Sequence, residues 1–319
     1  MINIKQFTIV VPDTFPPKMR LDKAISQLLS SYSRTCLKEW ILNFRVTVNG
    51  IILNRPNIRI SCGDKIVINV VNYTDDFDSP QDIPLTVVYE DNDILVIDKQ
   101  ANLVVHPGAG NKNGTLLNAL LYKNRNFAYI PRSGIVHRLD KDTTGLMIIA
   151  KNIISYNILI EFMKCKKIIR KYEAVVCGRV VSGGTIDKSI KRHSNRRTIM
   201  TTDVTGKKAI THYRIIKKFS YCTHLKIKLE TGRTHQIRVH MLDINHPLIG
   251  DHVYNNKYKY LKGVPFKILK IVKEFPRQAL HASQLCLKHP ITGVWMTWNS
   301  CVPSDIKCLL NQLHQNDNG

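Results

Sequence analysis

The chain has 319 residues, with 47 Lys and Arg against 24 Asp and Glu and a formal net charge of +23, the electrostatic footprint of a protein that meets polyphosphate. That length suits one large core with a small appended module. Eight scattered cysteines form no Cys-x-x-Cys pair, which argues against structural zinc and a redox centre. The first residues have neither the apolar core nor the cleavage site of a signal peptide. No run approaches the roughly 18 apolar residues of a membrane span. The expectation is a cytoplasmic protein with reduced thiols and no membrane partner.

From Lys18 to Val71 the chain reads as a self-contained unit. Leu21, Ile25, Leu28 and Leu29 recur at helical spacing. A second helix is expected from Ser33, a good N-cap, through Leu37, Trp40 and Ile41. A strand over Val46–Val48 ends in Asn49-Gly50, a hairpin turn pair, and Lys65–Val70 reads as another strand. This helix-helix-strand-turn-strand order resembles the S4 RNA-binding module. The resemblance implies that Arg20, Arg34, Lys38 and Arg45 face phosphate. Residues 72–82, with Asp75, Asp76, Asp78, Pro80 and nearby Pro84, read as a linker. The catalytic domain then spans 83–319.

In that core, Ile94–Asp98 and Leu146–Ala150 read as buried strands, and residues 152–167 as a helix with Ile154, Ile158, Phe162 and Met163 at apolar positions. Lys171–Val176 and His224–Glu230 read as half-buried strands. The fold class expected is α+β, a mixed but mostly antiparallel central sheet with flanking helices, plus the small α/β N-terminal module.

Chemistry concentrates in Gly134-Ile135-Val136-His137-Arg138-Leu139-Asp140-Lys141-Asp142-Thr143-Thr144-Gly145-Leu146. It is expected to hold the carboxylate of Asp140 at a hairpin tip. A carboxylate acts as a covalent nucleophile when ionised and oriented, and an arginine can do both. Arg138 is near in sequence, and Gly232-Arg233-Thr234-His235-Gln236-Ile237-Arg238-Val239-His240 supplies others at a strand-to-helix junction.

The His-Arg-Leu-Asp run resembles the signature of the RluA family of RNA pseudouridine synthases. Two further motifs follow in the family's order, Lys171-Tyr172-Glu173-Ala174 and Arg233-Thr234-His235-Gln236-Ile237-Arg238. The resemblance implies that Asp140 is the nucleophile and that Arg233 pairs with it. It further implies that Tyr172 packs on the target uracil and that Arg138 fills the space of the extruded nucleotide. Leu103–Gly108 and Arg277–Ala282 resemble walls of the family's site, more for shape than chemistry. With the S4-like module, the resemblance points to uridines of 23S ribosomal RNA, or the large subunit, as substrate. A paralogous synthase acting on other 23S or tRNA uridines stays open, as does a non-catalytic RNA-binding assembly factor.

The reaction conserves atoms, so no cofactor is expected. Gly108–Thr115 is glycine-rich but lacks the ending of a P-loop and Rossmann spacing, and His235 and His240 lack the i, i+4 offset of a helical metal pair. No metal is expected either. From Phe162 to Met200 there are 11 Lys or Arg against 2 acids. Lys171, Arg192, Arg196 and Arg197 in that segment are expected to track phosphates at the mouth of the site. A monomer is the default.

Overall fold

The structure, a computed structural model, describes residues 4–29, 32, 34–71, 79–108, 110–196, 198–255 and 263–317. Ser33, Arg197, Asp75, Asp76 and Asp78 lie outside the described residues. The chain divides into two compact units, Met1–Asp76 and Phe77–Gly319.

In the first unit, β1 (Ile4–Val10), β2 (Met19–Arg20), α1 (Leu21–Leu28), α2 (Arg34–Leu42), β3 (Val46–Val48), β4 (Ile51–Leu53), β5 (Arg59–Ile60) and β6 (Lys65–Val71) follow in order. The helices bury the positions their periodicity selects: Leu21 and Ile25 from α1, Leu37, Trp40 and Ile41 from α2. Asn49 and Gly50 have φ of 50° and 82°, the left-handed pair that lets a two-residue turn follow the twist of β3 and β4. The sheet runs β1-β6-β3-β4. β1 lies ahead of Lys18 and pairs antiparallel with β6 along its length, Phe7 opposite Ile68. Helix and sheet residues close one core containing Ile25, Trp40, Val46, Ile66 and Ile68.

The second unit contains β7 (Thr86–Glu90), β8 (Ile94–Lys99), α3 (Leu116–Lys123), β9 (Thr144–Ala150), α4 (Ile153–Lys164), β10 (Ile169–Cys177), β11 (Gly184–Asp187), β12 (Ile190–Arg192), β13 (Met200–Thr202), β14 (Ile210–Lys218) and β15 (Cys222–Leu229). After these come α5 (Gln236–Asp243), α6 (Phe266–Glu274), β16 (Leu280–Lys288), β17 (Trp295–Asn299) and α7 (Ser304–Gln315). The main sheet runs β11-β14-β15-β10-β16-β9-β8-β7, with β17 also on β16. Its named pairings are antiparallel except the short β9–β16 contact. The architecture is α+β with a mostly antiparallel sheet, as composition and periodicity lead one to expect. β10 shows how the sheet serves two cores: Tyr172, Ala174 and Val176 pack on one side, while Val175 and Cys177 join α6 and α7 on the other.

The segment before β9 departs from the expected hairpin. Only Ile135 and Ile149 form a ladder pair. The next opportunity is taken by a side chain: the Ile148 N–H donates to His137 Nε2 at 3.0 Å. The ring thus replaces a backbone partner and lets the arm swing away as a loop carrying Asp140. Burial pushes the pKa of this histidine down to about 3, which fits an imidazole nitrogen that must stay an acceptor.

Two glycines make the loop possible. Gly134 has φ of 78°, and a Cβ there would lie 2.0 Å from the Ala150 carbonyl oxygen; Gly145 has φ of 113°, and its Cβ would lie 2.4 Å from that of Ala282. Gly145→Ala is therefore expected to lower unfolding free energy by on the order of 1–3 kcal/mol from strain alone, with the backbone clash adding to it. Gly114→Ala, where φ is 70° but nothing lies within 4 Å, should cost less. Urea unfolding of the two variants separates the contributions: equal losses would show that space at the β9–β16 junction does not matter.

Candidate active site

Asp140 opens a tight turn, its carbonyl accepting from the Thr143 N–H at 3.1 Å. The turn is gripped from several elements. Lys99, the last residue of β8 and 1% exposed, donates from Nζ to the carbonyls of Lys141 at 2.9 Å, Gln100 at 2.7 Å and Leu103 at 3.0 Å. Arg277 forks onto Asp305 at 2.7 and 2.9 Å and donates a further N–H to the Asp142 carbonyl at 2.9 Å. Gln278 Nε2 donates to Thr143 Oγ1 at 3.1 Å, and His281 Nδ1 lies 2.9 Å from Thr144 Oγ1. The Leu103–Gly108 and Arg277–Ala282 segments thus support the loop, and His106 and Leu280 from them also wall the cavity that holds Asp140.

The arginine on Asp140 is Arg238, not Arg233. Arg238 Nη1 donates to Asp140 Oδ2 at 3.1 Å, while its Nε and Nη2 fork onto Asp251 at 2.7 and 2.9 Å. Arg233 is exposed, and its Nε donates to the Lys208 carbonyl at 3.1 Å. The physical reason is helix phase. Arg233 precedes α5, whereas Arg238 lies inside it on the face turned to the core, 6% exposed. Asp251 also accepts the N–H groups of Val253 and Tyr254, both at 3.1 Å. The Tyr254 ring lies 5.0 Å from Arg238 Cζ, a cation–π contact. Its two carboxylates hold the Arg238 pKa far above the ordinary value against the opposing effect of burial.

With Oδ2 held, Asp140 Oδ1 has no hydrogen bond among the described residues. It faces His235 Nε2 at 3.9 Å. Tyr254 Oη accepts the Met200 N–H and sits 2.9 Å from His235 Nδ1. Burial pushes the tyrosine up to about 12 and the histidine down from its ordinary value. A neutral phenol therefore meets a neutral imidazole. The arrangement saturating all three groups has Tyr254 donate to Nδ1, which leaves the ring proton on Nε2, toward Asp140.

Asp140, Arg138, Arg233 and Tyr172 line one cavity of about 500 Å³. Tyr172 is 5% exposed and sits where the β10–β16 register shifts, the kind of irregularity that re-aims a side chain at a site. Burial raises its pKa, so it presents a neutral ring. Arg138 is exposed at the rim between buried His137 and Leu139.

Lys171 does not flank Asp140. The strand period of two sends it away from Tyr172, into a different groove with Arg214, Lys226 and Lys228. Arg192 and Arg196 are exposed on the segment spanning β12 and β13, which Tyr254 fastens through Met200. In the first unit Arg34 and Lys38 are exposed on α2 and Arg45 is half-buried; Arg20 is exposed but forked onto Asp22 at 3.0 and 2.9 Å.

Asp91, Asp93 and His289 form a cluster of possible metal ligands, yet their lone pairs serve structure. His289 Nδ1 accepts the Ile291 and Thr292 N–H groups, so Nε2 carries the proton toward Asp91 at 3.0 Å. Asp91 Oδ1 accepts two backbone N–H groups, and Asp93 accepts from Asn152.

Arg238, Asp251, Tyr254 and Lys99 are the site residues that motif reading passed over. A usable signal existed for Arg238: a charged residue inside a helix flanked by Ile237, Val239 and Met241 has to be paired if that helix is buried.

Arg238→Ala is expected to cost about 3–5 kcal/mol of unfolding free energy, because it strands the fully buried Asp251 carboxylate. Arg233→Lys should change it by no more than about 0.5 kcal/mol. Denaturant titration of both variants checks this, and similar losses would refute the pairing. Lys99 gives a pH signature. Burial, opposed by Asp142 and Asp140, lowers its pKa to about 7, against about 10.4 in an unfolded chain. Between those values the unfolded state holds more protons, so the Lys99 contribution to stability rises with pH. Lys99→Met should flatten the stability-versus-pH slope from about pH 7 to 10, and an unchanged slope would contradict the assignment.

Residues 93–243 match the RNA pseudouridylate synthase family, and residues 19–66 match the S4 domain. Ribosomal large subunit pseudouridine synthase D of Buchnera aphidicola subsp. Baizongia pistaciae is 55% identical over 99% of this chain and 100% of that protein. The Escherichia coli K12 protein of the same name is 49% identical over 90% of this chain and 88% of its own length. Among solved structures, human RNA pseudouridylate synthase domain containing 4 shares the fold at a TM-score of 0.57 and 22% identity, covering 72% of this chain and 93% of that one. With its S4 domain ahead of a synthase core, this chain belongs to the RNA pseudouridylate synthase family.

Proposed function

We propose that the protein isomerises uridines of 23S RNA in the large ribosomal subunit to pseudouridine, with Asp140 as nucleophile. The observation that carries this reading is the Asp140 carboxylate itself. One oxygen is fixed by Arg238 and the other is left without a hydrogen bond, in a cavity walled by the buried Tyr172 ring. The substrate class follows from relatives named for the large ribosomal subunit, 49–55% identical to this chain.

A uridine reaches such a cavity only by leaving its stack, at a cost of a few kcal/mol that an aromatic face offsets in part. Tyr172 supplies that face. Arg138, exposed at the rim, takes the space the nucleotide vacates. Oδ1 of Asp140 then meets the anomeric carbon while Arg238 keeps the carboxylate oriented. His235 faces the same oxygen with its Nε2 N–H, 3.9 Å away, and steadies the charge that returns there when the ester bond opens. Uracil leaves C1′ as the N1–C1′ bond breaks, turns, and rejoins the same carbon through C5, so no cofactor enters. The cavity walls keep the freed base from escaping to water.

RNA is held more widely by phosphate contacts, which position without naming sequence. Arg34 and Lys38 on α2 and Arg192 and Arg196 on the β12–β13 segment are the exposed cations that serve this role. The compartment is the cytoplasm, where large-subunit RNA is made, and the working unit is one chain.

Large-subunit RNA carrying tritium at uracil C5 should release label with the wild-type protein and none with Asp140→Ala; release by the alanine variant would remove Asp140 from the chemistry. Arg238→Lys should slow release at least tenfold, since a point charge cannot span two carboxylates as a planar fork does. Arg34→Glu with Lys38→Glu should weaken RNA affinity and lower its log-log salt slope by about 2 while turnover at saturating RNA persists. An unaltered slope would show that α2 does not touch the backbone.

A further inference from the structure

Arg170 is the buried cation that neither the fold nor the reaction as set out above uses. Alternation along β10 buries Arg170 and Tyr172 on the same face, and both line the cavity that holds Asp140. Arg170 is 9% exposed, and its buried Nε has no hydrogen-bond partner. Among the described residues no carboxylate lies within ion-pair distance of its guanidinium. The other two buried arginines among the described residues of this unit are both forked onto carboxylates, Arg238 onto Asp251 and Arg277 onto Asp305. Space is kept for Arg170: a Cβ on Gly232 would lie 2.7 Å from its Nη1. A guanidinium Nε withdrawn from water without a partner works against folding. It is intelligible where a ligand completes it.

Position tells which part of the ligand. A phosphodiester is bulky and hydrated, and suits the rim, where Arg138 and Arg233 are exposed. Arg170 is buried on the strand face of Tyr172, in the cavity that apolar Ile135, Leu229 and Leu280 also line, where the base itself would stack. The base carries negative charge there only during reaction. When the N1–C1′ bond breaks, its electron pair stays on N1 and the base becomes an anion shared among N1, O2 and O4. The Asp140 oxygen bonded to C1′ gives up its charge at the same moment. We propose that Arg170 is a catalytic residue whose N–H groups stabilise this departing uracil anion, an inference that rests on the pseudouridine synthase reading above. After the base turns, C5 bonds C1′ and the Asp140–C1′ bond breaks, restoring the carboxylate. C5 loses its proton to water and N1 takes one up, so atoms and charge balance. Donors placed where charge develops act on the transition state more than on the bound substrate.

The test uses the full-length protein and large-subunit RNA tritiated at uracil C5, followed in single turnover, with RNA affinity, its salt slope and thermal unfolding measured in parallel. Arg170→Met should melt no lower than wild type, because it removes an unpaired charge. It should bind RNA within about twofold and release label at least 100-fold more slowly. Arg170→Lys should recover part of that rate. Weakened RNA binding with a salt slope lower by about 1 and an unchanged rate constant would overturn the proposal and assign Arg170 to a phosphate. A lowered melting temperature with unchanged rate and affinity would overturn it in favour of a structural role. Failure of the underlying reading is distinct: the wild-type protein would then release no label, and the Arg170 assignment would fall with it.

Discussion

A single guanidinium shared between two carboxylates organises this site. Arg238 commits its Nε and Nη2 to the buried Asp251 and offers Nη1 to Asp140. The division is unequal for a reason. Asp251 also receives backbone N–H groups from Val253 and Tyr254, so it is a fixed anchor that sets the fork's plane, while Asp140 is held by one oxygen alone. A bidentate grip on Asp140 would have immobilised both oxygens. Because α5 carries Arg238 and the loop before β9 carries Asp140, this contact also fixes the approach of two elements distant in sequence. Gly250 serves the same geometry: a Cβ there would lie 2.0 Å from the Arg277 carbonyl oxygen, so the Asp251 turn sits directly against the strand entrance that supports the Asp140 loop.

Around that contact the protein gathers buried polar groups that a core would ordinarily exclude. Lys99 places three N–H donors on three carbonyls, and Arg277 ties the Asp142 carbonyl to Asp305. A buried loop carries backbone groups that must find partners, and here side chains supply them because the ladder stops after Ile135 and Ile149. The loop is irregular without being loose. Its groups are satisfied by the buried Lys99 and Arg277 side chains, and precise placement of Asp140 follows.

Much of this was legible in the sequence. Periodicity located both helices of the first unit, and Asn49-Gly50 announced its hairpin through a preference for positive φ that few residues share. Asp140 and Tyr172 do share a cavity, as the order of the motifs implied. What remained illegible depended on direction. Arg233 and Arg238 occupy one motif, yet the start of α5 between them decides which faces inward. Lys171 and Tyr172 are adjacent, and a strand necessarily sends them to opposite faces. β1 escaped notice because an edge strand gains its meaning only from β6, far along the chain. The expected hairpin around Asp140 failed because nothing in its pattern reveals that a histidine ring replaces a backbone acceptor.

The distribution of arginines by depth ties the charge of the whole chain to the chemistry of one cavity. A net charge of +23 is mostly carried at the surface, where each cation is hydrated, screened by salt and interchangeable with its neighbours. Those charges bring RNA in and let it adjust. Arg170, Arg238 and Arg277 are each less than 10% exposed, and there a charge interacts through less solvent with whatever it faces. Two of the three face carboxylates of the protein and so have a structural reason to be buried. The third faces the cavity alone, which makes its charge available to a substrate that develops negative charge at depth. Surface basicity therefore accounts for binding, while the separation of paired from unpaired buried arginines distinguishes scaffold from chemistry.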